Sequence, residues 1–539
     1  MLRVSTQAAL RTVLNAPVDG GAAGRAATLP RMLRSYLCLC LFGLVQAADL
    51  ADPLWLDRLR PALTTAGEQD LARVPHAARG ELDLDLDPAL PGLRGAMTLR
   101  WTNPGPDAVP DVLLNCWPNA PAFGGASLTL SEVRLDGVPT KPLSEGRGER
   151  MRLRLPQPLP AGGSVVITAK LSAITSATGY HGLMTRSPDG VWVFSAFAPE
   201  VSVRIAGAWR EDPLAGMADA LRTRTAHWLL RLRVPGAAAV VGPGSELERR
   251  KLSDGRSEVL LAAPLVRNLC MIVGEGLVQT KREVDGVQLR MWHRPAVALA
   301  AARSIDACAA AMRRCSAAFG AYPWREFDAV EAPLEGGVGG VEASGVVLIG
   351  RDLCEMVGEL DPSVPPVGLA ARMLVEASAH ETCHQWWHLI VGNDTMLHPW
   401  LDESLTNWAG EWVMEQEYGA VIGPVWSMSV FTAMAERQRP RQALTLPARA
   451  YDELAYGAVV YGRGALMYQR LRSRLGDAKF FAALREWTDT HRFGWAEPAD
   501  WQAWLDRHAP PALAAEIRTK WLAGEGLTPQ DLGGASIKP

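Results

Sequence analysis

The chain has 539 residues, 48% hydrophobic and 21% charged, with a net charge of −3 at neutral pH, which is long enough for two or three domains with real cores. Acidic and basic residues are interspersed, with no long basic run, no internal repeat and no glycine-rich phosphate loop, so no nucleic-acid partner is expected. Nineteen tryptophans stand against only 7% aromatic residues overall and are read as packing and cleft walls rather than a base-stacking platform.

Residues 1–31 are rich in alanine and arginine and show no packing pattern, as an unstructured leader or an upstream start does. Residues 32–48 read as a signal peptide: Arg34 supplies positive charge, Leu37 to Val45 a short apolar core, and Val45-Gln46-Ala47 a small-residue cleavage site. That core is shorter than the roughly 20 residues a membrane span takes, so no transmembrane span is expected in the mature chain. Secretion, or export to a periplasm, is the preferred expectation. A mitochondrial presequence is the alternative, because Arg3, Arg11, Arg25 and Arg31 are accompanied by a single acid, Asp19; membrane association is another. The cysteines beyond this leader, Cys116, Cys270, Cys308, Cys315, Cys354 and Cys383, have no metal-knuckle spacing and leave disulfides open.

From 49 to 291 the chain is punctuated by Pro, Gly, Asn and Asp and carries short alternating runs, such as Leu82-Asp83-Leu84-Asp85-Leu86 and Leu229-Leu230-Arg231-Leu232-Arg233-Val234. Period-two alternation predicts half-buried strands, hence an N-terminal all-β domain. From 292 to 526 long helical patterns take over, interrupted by strand-like Phe327 to Ala332 and Val346 to Ile349, and 527–539 is read as a tail. The fold class expected is multidomain α+β, with helices and one small sheet in the second domain.

Within that second domain, His380-Glu381-Thr382-Cys383-His384 lies in a helix-compatible run that begins near Leu369 after Pro365-Pro366 and meets a stop at Gly392-Asn393. Histidines four apart on a helix share one face, close enough for both imidazoles to reach one zinc ion. Glu403, in Trp400-Leu401-Asp402-Glu403-Ser404, is expected as the third ligand, leaving a position for water. Glu381 is then the base that takes the water's proton. Position 387 is Trp387 and position 390 is Ile390, so the glycine and third histidine of metzincins are absent. His388 also lies four residues past His384, and packing or hydrogen bonding is its expected role.

The eighteen residues between His384 and Glu403, together with His384-Gln385-Trp386 and Trp400-Leu401-Asp402-Glu403-Ser404, resemble the zinc aminopeptidases (gluzincins) typified by alanyl aminopeptidase and leukotriene hydrolase. The resemblance implies an N-terminal β domain, a thermolysin-like catalytic domain, one zinc ion per chain and peptide substrates with a free N-terminus. The family's Gly-x-Met-Glu-Asn motif is matched by Gly339-Gly340-Val341-Glu342-Ala343, which implies that Glu342, flanked by Gly339 and Gly340, grips the substrate's α-amine. Ala343 stands where the family has asparagine, so one hydrogen-bonding side chain is missing. Downstream, Tyr461-Gly462-Arg463-Gly464 is similar to the family's Tyr-x-Lys-Gly segment and implies that Tyr461 donates to the oxyanion; Tyr456 is the competing choice. Asn407, one turn after Glu403, is a candidate partner for a ligand histidine. The large helical domain that many relatives carry after the catalytic one has no counterpart in the resemblance.

The activity implied is zinc-dependent aminopeptidase cleavage. Because the amine-binding motif is altered, a zinc hydrolase of other specificity, such as an endopeptidase or epoxide hydrolase, is one alternative; a non-catalytic peptidase-like binding protein is another. Oligomeric state is unknown from these residues.

Overall fold

A computed structural model describes residues 50–532 apart from 88–89, 215, 217–221, 358–367, 423–440 and 529–530. The leader and signal peptide expected over residues 1–48 therefore lie outside the described residues.

Alternation in the first half produces sheets with one buried face. Leu82, Leu84 and Leu86 of the strand Ala78–Asp87 are at most 1% exposed, while the intervening Asp83 and Asp85 face out and pair with Arg233. This strand sits inside an eight-stranded sheet, between Ala226–Val234, which it meets in parallel, and Gly92–Thr102, which it meets antiparallel. Among the described residues two four-stranded sheets, one containing Cys270–Gly274 and Trp192–Ser195, the other Val109–Asn115 and Arg150–Leu159, and a two-stranded sheet of Arg204–Ile205 and Ala208–Trp209 complete the β-rich region.

The second half holds a mixed five-stranded sheet in the order Val278–Val284, Val287–His293, Glu326–Ala332, Val346–Gly350, Gly340–Ala343. The boundary expected at 291 falls inside this sheet. Val287–His293 pairs in parallel with Glu326–Ala332, so it and its hairpin partner join the sheet that carries Glu342 instead of the β-rich region. Alternation marks a strand but not the sheet it joins, and a parallel partner lies far downstream across a connecting helix. That helix, Ala298–Phe319, is long and apolar enough to cross a bilayer, but two-thirds of its apolar window is buried inside the protein. Ser304 Oγ lies 2.8 Å from Ser378 Oγ on the zinc-motif helix, and Ala307 packs on Val375 of the same helix.

The zinc-motif helix, Leu369–Cys383, stops earlier than Gly392. His384 is its C-cap. Beyond it the amides of Leu389, Ile390 and Val391 bond the carbonyls of His384, Gln385 and Trp386 at 3.2, 3.1 and 2.9 Å, a five-residue step wider than an α-helix. Arg267, at the end of a β-region strand, holds this widened turn: its guanidinium donates to Leu389 O at 2.8 Å, Ile390 O at 3.3 Å and Gly494 O at 2.5 Å. Gly392 is required there, since a Cβ would lie 2.3 Å from the Arg267 guanidinium carbon. Helix Glu403–Ile422 packs against both the zinc-motif helix and Gly464–Leu475, and Asp477–His491 packs between Gly464–Leu475 and Pro498–His508.

Candidate active site

Three side-chain atoms converge at the end of the zinc-motif helix. His380 Nε2 and His384 Nε2 are 3.0 Å apart, and each is 3.4 Å from Glu403 Oε2. Ligands about 2.0–2.2 Å from one tetrahedral zinc sit about 3.3 Å from one another, so the donor set has the right edges as well as the right chemistry. His384 Nδ1 lies 2.7 Å from Trp387 O; donating there leaves its Nε2 lone pair for the metal. Thr406 Oγ1 donates to the same carbonyl at 2.9 Å, tying the Glu403 helix to the ligand turn.

The electrostatics favour a cation at this point. Burial lowers His380 and keeps it neutral, while its two imidazole neighbours hold Glu403 well below the usual carboxylate range against its own burial. Around His384, the carboxylates Glu342, Glu403 and Glu381 outweigh full burial and raise its pKa. Three carboxylates around a dry imidazole are balanced by a positive charge.

Glu381 is 6% exposed and lies flat against Gly340: a Cβ on Gly340 would stand 2.4 Å from Glu381 Cγ and 2.5 Å from its Oε1. Gly340 is therefore what admits the Glu381 side chain against the edge strand. Gly339 is different, since a Cβ there meets Ala377 and Leu353 at an ordinary 3.5 Å; its carbonyl accepts from Gly350 N at 2.9 Å.

Tyr461 stacks on His380, with ring centroids 5.7 Å apart, and sits in a π-helical stretch, Gly457–Arg463. Such widened turns re-aim one side chain out of the helical ladder. Tyr456 contacts Tyr461 and Tyr451 edge-on and is 6% exposed, one ring further from the histidines. Asn407 joins these parts: its side chain hydrogen-bonds His380, and its Nδ2 donates to Tyr461 O at 3.1 Å.

Glu342 lies on Gly340–Ala343, the edge strand of the five-stranded sheet, and is 3% exposed. Gln385 fastens that strand to the ligand turn, donating from Nε2 to Ala343 O at 3.0 Å and accepting from Gly345 N at 2.9 Å. His388 stands between the strand and the third ligand's turn, with Nδ1 3.2 Å from Glu342 Oε1 and 3.3 Å from Asp402 Oδ2. Asp402 Oδ1 accepts from Asn393 Nδ2 at 2.9 Å. Among the described residues, Glu342, His384 and His388 also come close enough to count as a second possible metal group. His384 has one nitrogen on Trp387 O and the other facing His380 and Glu403, so it is committed to the first group.

Sequence reasoning gives Gln385 and Asp402 no supporting role, and gives His388 packing or hydrogen bonding without a partner. Gln385 had a signal in the His-Gln-Trp pattern; His388 had only its spacing, which assumes a helix that ends before it. The six described cysteines are free and buried, with Cys383 Sγ 3.5 Å from Cys315 Sγ, so Cys383 fills space behind the ligand helix.

The family profile for the Peptidase family M1 domain matches residues 304–521. Aminopeptidase N of Lactobacillus delbrueckii subsp. lactis is 27% identical over 176 residues, covering 27% of this chain and 20% of that protein. Aminopeptidase 2 of Candida albicans is 22% identical over 307 residues, 54% of this chain and 32% of that protein. The chain thus aligns with a fifth to a third of the length of these relatives. Among solved structures, the M1 zinc metallopeptidase from Deinococcus radiodurans superposes with a TM-score of 0.61 at 17% identity, over 84% of this chain and 95% of that one. A mutant of that protein bound to a Tyr-Ser-Ala substrate gives a TM-score of 0.60 at 15% identity, with the same coverage. These superpositions concern the fold, a β-rich region followed by a helical domain, and they agree with the family match and the His-His-Glu cluster. Over residues 304–521 the chain is similar to peptidase family M1, and the relatives it aligns with include aminopeptidase N.

Proposed function

We propose that this chain is a zinc-dependent aminopeptidase that releases N-terminal residues from peptides, with one zinc ion per chain. The observation that carries the reading is the convergence of His380, His384 and Glu403 within 3.0–3.4 Å, with Glu381 beside them and the buried carboxylate of Glu342 on the adjoining edge strand. The names of its M1 relatives, aminopeptidases of bacteria and fungi, support it.

Zinc held by these three ligands supplies Lewis acidity, polarising a carbonyl and bringing the pKa of a water toward neutrality. Glu381 takes the proton of the attacking water and returns it to the leaving amine. Tyr461, beside His380, donates its hydroxyl to the oxygen that gains charge; one well-aimed donor of this kind lowers a barrier by about 3–4 kcal/mol. The free edge of Gly340–Ala343 takes the peptide backbone by strand addition, and Glu342 at its end receives the α-ammonium. Delivery of the chain to an export pathway by residues 32–48 belongs to the same reading, and N-terminal sequencing of the protein recovered from cells tests it.

A panel of aminoacyl peptides, each free and N-acetylated, assayed on zinc-loaded protein, decides the activity. Acetylation is expected to cost about tenfold to a hundredfold in kcat/KM, the worth of one charge-assisted contact. Equal rates on both forms would replace this reading with an endopeptidase. Bound zinc with no turnover on any member would leave a peptide-binding protein.

A further inference from the structure

In the β-rich region, the hairpin Arg204–Ile205/Ala208–Trp209 and the loop that follows Gly92–Thr102 line a cavity of about 380 Å³, within the roughly 300–1,000 Å³ of small-molecule sites. None of the residues placed at the zinc site lines it. Two tryptophans, Trp101 and Trp209, wall it with ring centroids 5.8 Å apart. The charged groups among its described lining residues are Arg204, Arg224 and a single acid, Asp107. We propose that this pocket binds a free aromatic α-amino acid, with the carboxylate on Arg204, the ammonium toward Asp107 and the side chain against the tryptophans.

The site is assembled from two short, pinned pieces of chain. Ala206 and Gly207 take φ of 48° and 83°, the left-handed pair of a two-residue hairpin turn, which sets Arg204 directly opposite Trp209. Residues so placed in an antiparallel pair share one face. Trp209 is fixed there by its Nε1, which donates to Asp111 Oδ1 at 2.7 Å. Asn103 ties down the Pro104-Gly105-Pro106 loop: its Nδ2 donates to Asp107 O at 2.8 Å and to Leu159 O at 3.1 Å, and its Oδ1 accepts from Gly105 N at 3.1 Å. A Cβ on Gly105 would stand 4.0 Å from Arg204 Nη1, so the guanidinium lies beside this loop. Among the described residues Arg204 pairs with no carboxylate, whereas Arg150, Arg152 and Arg210 of the same region each have an acid. A guanidinium left open in a preformed pocket offers a carboxylate two parallel hydrogen bonds at little ordering cost. Arg224, whose guanidinium carbon is 5.7 Å from the Trp495 ring centroid, adds a second positive charge to the lining. Asp107 decides between anions: a phosphate meets it with nothing to offset the repulsion, while a zwitterion uses both signs of charge.

Equilibrium dialysis of labelled L-phenylalanine against the full zinc-loaded chain tests this, with a peptide hydroxamate in excess so that the zinc site is occupied and does not bind the label. One site per chain is expected, weakened about tenfold or more in Arg204→Ala, the worth of one charge-assisted contact. Gly105→Leu is the second variant. It leaves Arg204 in place, tolerates a Cβ that meets nothing nearer than 3.5 Å, and extends a side chain into the pocket, so it should weaken binding by a similar factor. In displacement, 3-phenylpropionate, which keeps the carboxylate and lacks the ammonium, should compete at a several-fold higher concentration than phenylalanine. Phenethylamine, which lacks the carboxylate, should not compete in the same range. No binding once the hydroxamate is present, or unchanged binding in either variant, overturns the inference. Displacement by phenethylamine as good as by phenylalanine, or tighter displacement by phenyl phosphate, overturns the assigned ligand class.

Discussion

Buried charge is treated in opposite ways at isolated positions of the β-rich region and in the cluster of the helical half; Glu258, also buried in the β-rich region, is paired with Arg231, Arg233 and Arg250. In the β-rich region Glu200 and His227 are buried singly. Neither oxygen of Glu200 has a hydrogen-bond partner among the described residues, and burial pushes its pKa up to about 8. Burial pushes His227 down to about 3, and its Nδ1 accepts the Leu265 amide as a neutral ring does. In the helical half, Glu342, Glu381, Asp402, Glu403, His380, His384 and His388 are all buried or nearly so, but in mutual contact. Isolated groups escape the cost of burial by becoming neutral. In the cluster Glu403 keeps its charge between the two histidines, while burial and the neighbouring Glu403 push Asp402 up to about 7, so charge is concentrated at the point where a cation would sit.

The sharpest way to break the comparison is to take away the cation. Chelation should abolish turnover entirely and also destabilise the helical half, because zinc stabilises by about 4 kcal/mol when present at a thousandfold over its Kd. Hydrogen exchange should then rise in Leu369–Cys383 and Glu403–Ile422 and stay unchanged in Ala78–Asp87 and Gly92–Thr102. Uniform destabilisation of both halves would mean that the clustered carboxylates do not depend on the metal.

Replacing the base leaves the cluster's ligands intact. Glu381→Gln should retain zinc by metal analysis while kcat falls by about 10²–10⁴-fold, the range for general-base catalysis. A variant keeping more than about a tenth of the wild-type rate, a loss under about 1.4 kcal/mol, would remove Glu381 from the mechanism. Tyr461→Phe comes next, at about a hundredfold in kcat with little change in KM, since the hydroxyl acts mainly in the transition state. Tyr456→Phe should do much less, because its ring packs edge-on against Tyr461, the ring that stacks on His380. The reverse ranking would move the oxyanion role to Tyr456.

The site's chemistry was legible in sequence where it depended on local periodicity. Two histidines one helical turn apart stay together whatever the rest of the chain does, and the structure brings Glu403, picked out by its interval, within 3.4 Å of both. What could not be read depends on departures from regular geometry. The helix ends at Cys383 and the turn widens, so His388 faces Glu342 and Asp402 instead of continuing the ligand row. Tyr461 is aimed by a π-helical stretch that no propensity announces. The strands Val278–Val284 and Val287–His293 alternate like their predecessors, and only long-range parallel pairing assigns them to the catalytic sheet. Arg267 is the extreme case: an arginine distant in sequence that binds the ligand turn through backbone carbonyls leaves no pattern at all.

The smallest expected effect tests the β-rich side of the comparison. Glu200 has an ordinary pKa of 4.5 when unfolded and about 8 when folded. Below about pH 4.5 both states carry the proton, and burial of the neutral acid is the only cost. Between about 4.5 and 8 the unfolded chain releases the proton while the folded chain keeps it, so stability falls as pH rises through this window and levels off above about 8. Glu200→Gln keeps the shape and removes the titration. Chemical denaturation should find this variant no more stable than wild type near pH 4.5 and more stable near pH 8, by an amount on the order of a few kcal/mol. Catalysis at the zinc site should be unaffected once both proteins are folded. A stability difference that is flat across pH 4.5–8 would show that Glu200 is charged in the folded state and partnered after all. Isolated and clustered positions would then follow one rule for buried charge instead of two.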